Sequence, residues 1–392
     1  MKKRKTGRVL FLLLGLVAVA GIALYSLYML WEAPPDKSEA VPALSRTDEK
    51  SPSTRRADGV YTILLVGNDD GNGNTDTIMV GKLDTAQHRM ELVSIPRDTL
   101  INSPWEVRKL NAVYWGSKFN GGDGITALRR QVERLTGFDV DCYAVVDLDV
   151  LVQAVDLMGG VWFDVPQAMD YDDPSQDLAI HLSPGRQLLN GEQAMGVCRY
   201  RSAYVTGDLG RIEMQHRFLE ACAEQFISAG NIPNLGKVAE LLARRTDTNL
   251  STGNIAWLLH QAVLCDKENI CFYTAPVVTE TVAGYSYVLL NLWPWLDLVN
   301  AHLNPYDLPI GYTDVDVVYR NEYGVACTAT LQDESYYRRE GPAPAVEPAP
   351  GTPVVTPEPT PSPEPTPEET PTIVFVEPDG SPSPAPEESA AP

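Results

Sequence analysis

The sequence of 392 residues predicts an α/β fold: a three-layer α/β/α sandwich with a mixed, largely parallel central sheet, preceded by an N-terminal transmembrane helix. Three observations predict it. A long uncharged apolar run lies near the N-terminus, short β-type runs recur along the middle of the chain, and amphipathic helical patterns separate several of them. Strands that alternate with helices are typical of sheets built from βαβ units.

The apolar run covers residues 9–31 and holds 23 residues without a charge. As a helix it is about 34 Å long, enough to cross a hydrocarbon core of about 30 Å. The leader, residues 1–8, has five basic residues and no acid, which favours a cytoplasmic position. We therefore expect a single-pass signal-anchor in the cell membrane, with everything after Trp31 outside the cell.

Composition divides the rest of the chain into three parts. Residues 32–58 are polar and contain proline, which predicts a flexible stalk. Residues 59–332 carry the strand and helix patterns and are predicted to form one domain. Residues 333–392 are predicted to be a disordered, acidic, proline-rich tail, because residues 341–392 hold 17 of the 31 prolines and nine acids without a Lys or Arg.

The elements of the predicted domain follow from their apolar spacing. In the helix predicted at 124–137, Ile125, Leu128, Val132 and Leu135 share one face and Gly137 ends it. A helix at 208–230 has Asp208 as its predicted N-cap. A further helix is predicted at 149–160, and strands are predicted at 61–67, 77–83, 90–95, 143–149 and 160–165.

The composition excludes several classes of function. The net charge is −21, which argues against nonspecific nucleic-acid binding, since that needs a basic surface. The six cysteines form no C-x-x-C pair, so a zinc knuckle is not expected. The chain has no G-x-S-x-G and no H-E-x-x-H motif, and its five histidines lack ligand spacing. Chemistry driven by charge and metal remains.

Charged residues stand where the strand at 90–95 ends. Pro96 stops strand pairing, and Arg97 and Asp98 follow it directly. Asp76 opens the neighbouring strand. In α/β sheets, ligands bind beyond the carboxyl ends of the strands. Two carboxylates with open positions suit Mg²⁺, which usually also takes phosphate oxygens.

A second group of cations lies further along the chain. Arg199 and Arg201 are two residues apart, so on an extended segment both would point to one side. Asp208, Arg211 and Gln215 share one face of the predicted helix at 208–230. Arginines bind phosphate oxygens through two parallel hydrogen bonds. These residues therefore predict a phosphate-binding pocket together with three residues of the segment "EVRKLNAVYWG", namely Arg108, Lys109 and Asn111.

Six motifs make the chain similar to the LytR–CpsA–Psr family of cell-envelope phosphotransferases. In family order they are "TDTIMV", "VSIPRDT", "RKLNAVYWG", "LMGGVWFDV", "LNGEQAMGVCRYR" and "GDLGRIEMQ". The resemblance covers about residues 60–310. The resemblance implies an enzyme that moves a glycopolymer, such as teichoic acid or capsule, from a polyprenyl-pyrophosphate carrier to a hydroxyl of peptidoglycan, forming a phosphodiester. It also implies an apolar tunnel for the polyprenyl tail.

The resemblance assigns roles to residues of this chain. Asp76 and Asp98 would hold Mg²⁺ on the pyrophosphate. Asp98 or Asp208 would take the proton of the acceptor hydroxyl, and the sequence does not choose between them. The pyrophosphate oxygens would be bound by Arg97, Arg108, Arg199, Arg201, Arg211 and Gln215.

One position departs from the family pattern, and the function has alternatives. Many members have an arginine just before the glutamine of the last motif, where this chain has Met214. Either one phosphate contact is lost or Arg217 replaces it. The alternative functions are a pyrophosphohydrolase that releases the polymer to water, a noncatalytic wall-polymer binding module, and a transcriptional regulator, for which no helix-turn-helix is evident.

Overall fold

The computed structural model describes residues 33–37, 56–69, 74–174, 178–200, 208–227 and 232–337. The predicted leader, the predicted transmembrane helix, most of the predicted stalk and the predicted tail after Tyr337 lie outside these residues. Within the described part of the chain, no helix is long and apolar enough to cross a membrane.

Most of the described strands pair with a neighbour close in sequence. The described strands are β1 (Val60–Asp69), β2 (Asn74–Asp84), β3 (Arg89–Ser94), β4 (Cys142–Asp147), β5 (Val161–Val165), β6 (Met169–Asp173), β7 (Leu178–Leu182), β8 (Gly185–Leu189), β9 (Asp247–Thr248), β10 (Ile270–Thr274), β11 (Val277–Val282), β12 (Tyr285–Leu290), β13 (Val318–Asn321) and β14 (Gly324–Cys327). The five predicted strands are confirmed as β1 to β5.

The described helices are α1 (Ala112–Phe119), α2 (Gly124–Thr136), α3 (Leu148–Leu157), α4 (Gly191–Arg199), α5 (Asp208–Ile227), α6 (Leu235–Arg245), α7 (Thr252–Leu264), α8 (Leu292–Leu298) and α9 (Glu334–Tyr337). The three helices predicted from the sequence are confirmed as α2, α3 and α5. The four apolar residues predicted to face the core from α2 are all buried. Gly137 ends α2 with a left-handed φ of 80°, as its position predicted.

The central sheet has six strands in the order β10-β3-β2-β1-β4-β9. It is mixed, as predicted, but the expectation that it is largely parallel is wrong. Only β10–β3 and β1–β4 are parallel, whereas β1–β2, β2–β3 and β4–β9 are antiparallel. The reason is that short connections join β1, β2 and β3, and a short connection returns the chain in the opposite direction.

Both faces of the sheet are covered. On β1, Leu64 and Val66 belong to a core with residues of α1, α2 and α8. Tyr61 and Ile63, one position out of phase, belong to a core with residues of α6 and α7. This alternation follows from the two-residue period of a strand. A third core lies among β5 to β8 and helices α3 to α5.

Two described parts of the predicted flexible stalk contact the domain. Asn254 of α7 donates hydrogen bonds to the carbonyl oxygens of Ala33 (3.0 Å) and Pro34 (3.1 Å). Arg56 forms an ion pair with Asp141, just ahead of β4. These two parts of the predicted stalk are therefore in contact with the domain.

The predicted tail begins too early at residue 333. Residues 334–337 form α9, and Tyr336 is buried in a core with Leu100, Tyr287 and Leu289. The boundary was drawn from a change in composition, but the prolines start only after Glu340. Two tyrosines ahead of them bring enough apolar surface to pack against the domain.

Candidate functional site

One edge of the central sheet collects several strand ends. β1 and β3 are both antiparallel to β2 and therefore run in the same direction. β4 is parallel to β1, and β10 is parallel to β3. The carboxyl ends of these four strands consequently meet at the edge where β2 begins. This is the edge where ligands bind in α/β sheets.

The predicted residues Arg97 and Asp76 meet at this edge. Nη1 of Arg97 donates a hydrogen bond to Oδ1 of Asp76, and the two side chains are 23% and 26% exposed. The backbone carbonyl of Arg97 accepts a hydrogen bond from the amide of Asn111 at 3.0 Å. The pair is thus held by the fold and still open to a ligand.

A second ion pair stands beside the first. Nζ of Lys109 lies 3.2 Å from Oδ1 of Asp98, with side chains 25% and 32% exposed. A backbone bridge between Leu100 and Lys109 brings the lysine to this position. Lys109 was predicted only as one member of the cation group, and the family resemblance gave a role to its neighbour Arg108 instead.

Two further polar residues complete the edge and were missed. The amide of Asn68, at the end of β1, donates to Oδ1 of Asp147 at the end of β4 (3.2 Å). Nε1 of Trp115 donates to Oδ1 of Asn68 at 3.3 Å. The rule that pointed to Arg97, namely polar residues at strand ends, would also have found Asn68 and Asp147.

Helix α5 brings Gln215 to the same edge. Thr77 Oγ1 donates to Oε1 of Gln215 at 3.2 Å, one residue from Asp76. Nε2 of Gln215 donates weakly to the carbonyl oxygen of Cys198 at 3.5 Å, which places Gln215 next to the end of α4. Gln215 therefore connects Thr77 of β2 with Cys198 near the end of α4.

Arg199 does not lie on an extended segment, so that prediction is wrong. It is the last residue of α4, which a capping box between Asn190 and Gln193 starts. The side chain of Arg199 is partly exposed. Arg201 lies outside the described residues, and for Asp208 and Arg211 only the backbone of α5 is described.

Next to Gln215, a buried pair separates the site from the core. Nε2 of His216 lies 2.6 Å from Oγ of Ser94, and both residues are buried. Burial lowers the pKa of His216 to about 4. The imidazole is consequently neutral at pH 7 and adds no positive charge for a phosphate.

Arg108 lies apart from the open pairs. Its side chain is 1% exposed and forms an ion pair with Asp333 at 2.9 Å. The guanidinium carbon lies 3.8 Å from the centroid of the Tyr336 ring. In this arrangement a phosphate oxygen has no open side from which to reach it, in contrast to the predicted role in pyrophosphate binding.

The departure at Met214 has a packing explanation. Met214 is 5% exposed and belongs to the core that contains Phe218, four residues on. Arg217 is exposed and stands three positions after Met214, so the two side chains lie about 60° apart around the helix. Replacement of the missing arginine by Arg217 stays a prediction.

The carboxylates at this edge could supply some of the ligands of a Mg²⁺ ion, and a substrate would have to supply others. Asp76 and Asp98 offer hard carboxylate oxygens, and both are partly exposed. Among the described residues, no group of three His, Cys, Asp or Glu side chains is close enough to hold a metal. Asp76 and Asp98 would therefore supply at most two ligands of such an ion, and phosphate and water would have to fill its remaining positions.

The cysteines take no part in this site. All six are free thiols in the structure. Burial raises the pKa of Cys142 and of Cys198 to about 12, so these thiols are not nucleophiles at pH 7.

Comparisons with known proteins show which family this chain is similar to. The sequence model of the LytR_cpsA_psr family matches residues 32–293. The polyisoprenyl-teichoic acid–peptidoglycan teichoic acid transferase TagV of Bacillus subtilis (strain 168) is 30% identical over 249 residues. That match covers 60% of this chain and 62% of the relative, so the chain spans less than two thirds of the relative's length.

A second relative and a solved structure are also similar to this chain. The polyisoprenyl-teichoic acid–peptidoglycan teichoic acid transferase TagU of Oceanobacillus iheyensis (strain DSM 14371) is 25% identical over 60% of this chain and 70% of its own length. The crystal structure of B. subtilis TagV aligns with a TM-score of 0.55 at 24% identity, over 65% of this chain and all of that one. The structural match speaks for the fold alone.

Proposed function

Because the chain belongs to the LytR_cpsA_psr family, we propose that it transfers a glycopolymer from a polyprenyl-pyrophosphate carrier to a hydroxyl of peptidoglycan. Its relatives TagV and TagU are named as transferases of teichoic acid to peptidoglycan. The observation that carries the proposal is the pair Asp76–Arg97 beside Asp98–Lys109 at one edge of the sheet. The edge offers cations and carboxylates together, as a diphosphate with a metal requires.

In the proposed reaction the acceptor hydroxyl oxygen bonds to the phosphorus nearer the glycan. The bond between this phosphorus and the bridging oxygen breaks, and polyprenyl phosphate leaves with the electron pair. The hydroxyl proton passes to a carboxylate, for which Asp98 and Asp208 are the candidates. The product is a phosphodiester between glycopolymer and peptidoglycan.

Arg97 is the proposed main contact to the leaving phosphate. Its guanidinium can turn from Asp76 to two phosphate oxygens, because both side chains are partly exposed. Lys109 adds a second cation next to Asp98. Arg199, Arg201, Arg211 and Gln215 stay predicted ligands of the more distal oxygens. Charge that develops in the transition state is thereby neutralised by groups already in place.

Mg²⁺ is the proposed cofactor, with Asp76 and Asp98 as its protein ligands. The ion would supply additional positive charge at the pyrophosphate. Each carboxylate already has a cationic neighbour, Arg97 and Lys109, so binding of the ion and its substrate requires these pairs to open or share. This predicts competition between the internal cations and the metal.

We also propose that the domain works outside the cytoplasmic membrane, anchored by residues 9–31. The support is the 23-residue uncharged run after a basic leader. External protease added to intact protoplasts should then digest the domain. Protection of the residues beyond Glu32 would contradict this topology.

The transfer itself is tested with a synthetic polyprenyl-pyrophosphate glycan, incubated with the full chain with and without peptidoglycan oligomers. Mass spectrometry should find the glycan phosphate attached to the oligomer only when oligomer is present. Release of a free glycan phosphate at the same rate in both samples would identify a pyrophosphohydrolase instead. No turnover but retained binding would identify a binding module.

A further inference from the structure

A segment beyond the family match packs against the loop that carries the site. The family match ends at residue 293. We name residues 332–337 the clasp and residues 97–111 the site loop. The clasp contains α9 and contacts the site loop at several points, although more than 200 residues separate the two in sequence.

Arg108 is the centre of this contact. Its Nη2 donates to Oδ2 of Asp333 at 2.9 Å, and its Nε donates to the carbonyl oxygen of Trp105 at 2.9 Å. The ring of Tyr336 covers the guanidinium at 3.8 Å. A buried guanidinium is costly unless a partner compensates it, so the burial of Arg108 depends on Asp333.

Hydroxyl groups extend the contact on both sides. The hydroxyl of Tyr336 is hydrogen-bonded to that of Tyr287, whose oxygen accepts from the backbone amide of Arg108 at 3.4 Å. The hydroxyl of Tyr337 donates to the carbonyl oxygen of Ile101 at 3.2 Å. Tyr336 of the clasp thus contacts Arg108 through Tyr287, and the adjacent Tyr337 contacts Ile101 directly.

The backbone of the site loop transmits this fixation to the ion pair at the edge. Ile101 donates to the carbonyl oxygen of Arg108 at 3.0 Å, and Leu110 donates to that of Thr99 at 3.0 Å. Lys109 stands between the two bonded positions, and its ammonium lies 3.2 Å from Asp98. A displacement of Arg108 therefore displaces Lys109 relative to Asp98.

We propose that the clasp is a positioning device, in which Asp333 and Tyr336 act through Arg108 to hold Lys109 against Asp98 in its working orientation. Arg108 is then a positioning residue and not a pyrophosphate ligand. The kinetic part of this inference rests on the proposed function. The structural part, the order of the site loop, does not.

The test uses the full chain and two variants that remove few atoms, Asp333→Asn and Tyr336→Phe. Tyr323→Phe is the matched control, because Tyr323 is 89% exposed and loses the same hydroxyl without a buried partner. Two quantities are measured: hydrogen exchange of the site-loop amides, and kcat and KM for transfer from the synthetic carrier.

We expect faster exchange at Ile101 and Leu110 in both variants, with unchanged exchange in β1 and β4. We also expect kcat to fall by roughly tenfold to a hundredfold at nearly constant KM, because small misplacements of catalytic groups have effects of this size. The control should match the wild type in both measurements.

Three outcomes would overturn the inference. They are unchanged exchange in the site loop, exchange that rises equally throughout the central sheet, and a loss confined to KM. An inactive wild type would contradict the proposed function instead, and the exchange of the site loop would still decide whether the clasp orders it.

Discussion

Two arginine–aspartate pairs stand at opposite edges of the central sheet. Arg97 and Asp76 lie at the carboxyl edge with 23% and 26% of their side chains exposed. Arg56 and Asp141 lie where β1 and β4 begin, with 8% and 0% exposed. The chemistry of the two pairs is the same, but their access to solvent differs.

The surroundings explain the difference. Oδ2 of Asp141 also accepts from the amide and the hydroxyl of Thr62, at 2.8 and 3.0 Å, so this carboxylate is saturated by the domain. At the carboxyl edge, by contrast, the neighbouring pair Asp98–Lys109 is open as well. The buried pair stabilises the fold, and the open pairs remain available to a ligand.

The largest effect on stability should come from the buried pair. Arg56→Ala leaves the charge of Asp141 buried without its cation, which should lower the free energy of unfolding by about 3–5 kcal/mol. Thermal and denaturant unfolding measure it. Arg244→Ala is the control, since Arg244 and Glu240 are 74% and 52% exposed and should contribute under about 1 kcal/mol. Equal losses of unfolding free energy in Arg56→Ala and Arg244→Ala would contradict the stabilising role of the buried pair.

The open pair should affect rate instead of stability. Arg97→Ala should lower the transfer rate about 10²–10³-fold, equivalent to about 2.7–4 kcal/mol, because it removes a contact to the leaving phosphate. Arg97→Lys should restore only part of it, because an ammonium lacks the two-pronged geometry. The melting temperature should stay near that of the wild type. Full activity in a folded Arg97→Ala protein would reject the assignment.

His216 allows a pH test of the boundary between core and site. Its pKa in the folded protein is about 4, below the usual value of 6.5. Between these values only the unfolded chain takes up the proton, so stability should rise with pH from about 4 to 6.5 and lose this dependence above it. The total change is on the order of 3 kcal/mol.

The variant His216→Gln should lose the part of the pH dependence of stability that comes from the histidine. The part that comes from carboxylates should remain. Unfolding by denaturant at pH 4.5, 5.5 and 7 provides the comparison. Parallel curves for wild type and variant would show that His216 is accessible to protons in the folded state.

The smallest effect is expected from shortening the acidic tail. Truncation after Glu340 removes residues 341–392, whose acidic and proline-rich composition cannot form a core. The melting temperature and the transfer rate should therefore be nearly unchanged. Truncation after Gln332 removes five more described residues, Asp333–Tyr337, and should reduce the rate. Equal transfer rates and equal melting temperatures in the two truncated chains would show that the clasp does not contribute to activity.

Local sequence patterns predicted those features of the fold that depend on a single helix or strand. The buried face of α2 follows from its spacing, and the carboxyl end of β3 follows from Pro96, so the position of Arg97 and Asp98 after this strand end was predicted. The direction of β2 was missed because the length of its connections was given too little weight. Lys109 and Arg108 are neighbours in sequence, but only partners such as Asp333, 225 residues away, make one exposed and the other buried.

The central claim is that the two open pairs share a diphosphate and its metal, and a magnesium titration tests it most directly. Transfer rate is measured against Mg²⁺ concentration for the wild type, Asp76→Asn and Asp98→Asn, with circular dichroism as the folding control. We expect both folded variants to be slower and to need more Mg²⁺, because each loses a hard anionic ligand. An unchanged magnesium response in both variants would contradict the claim.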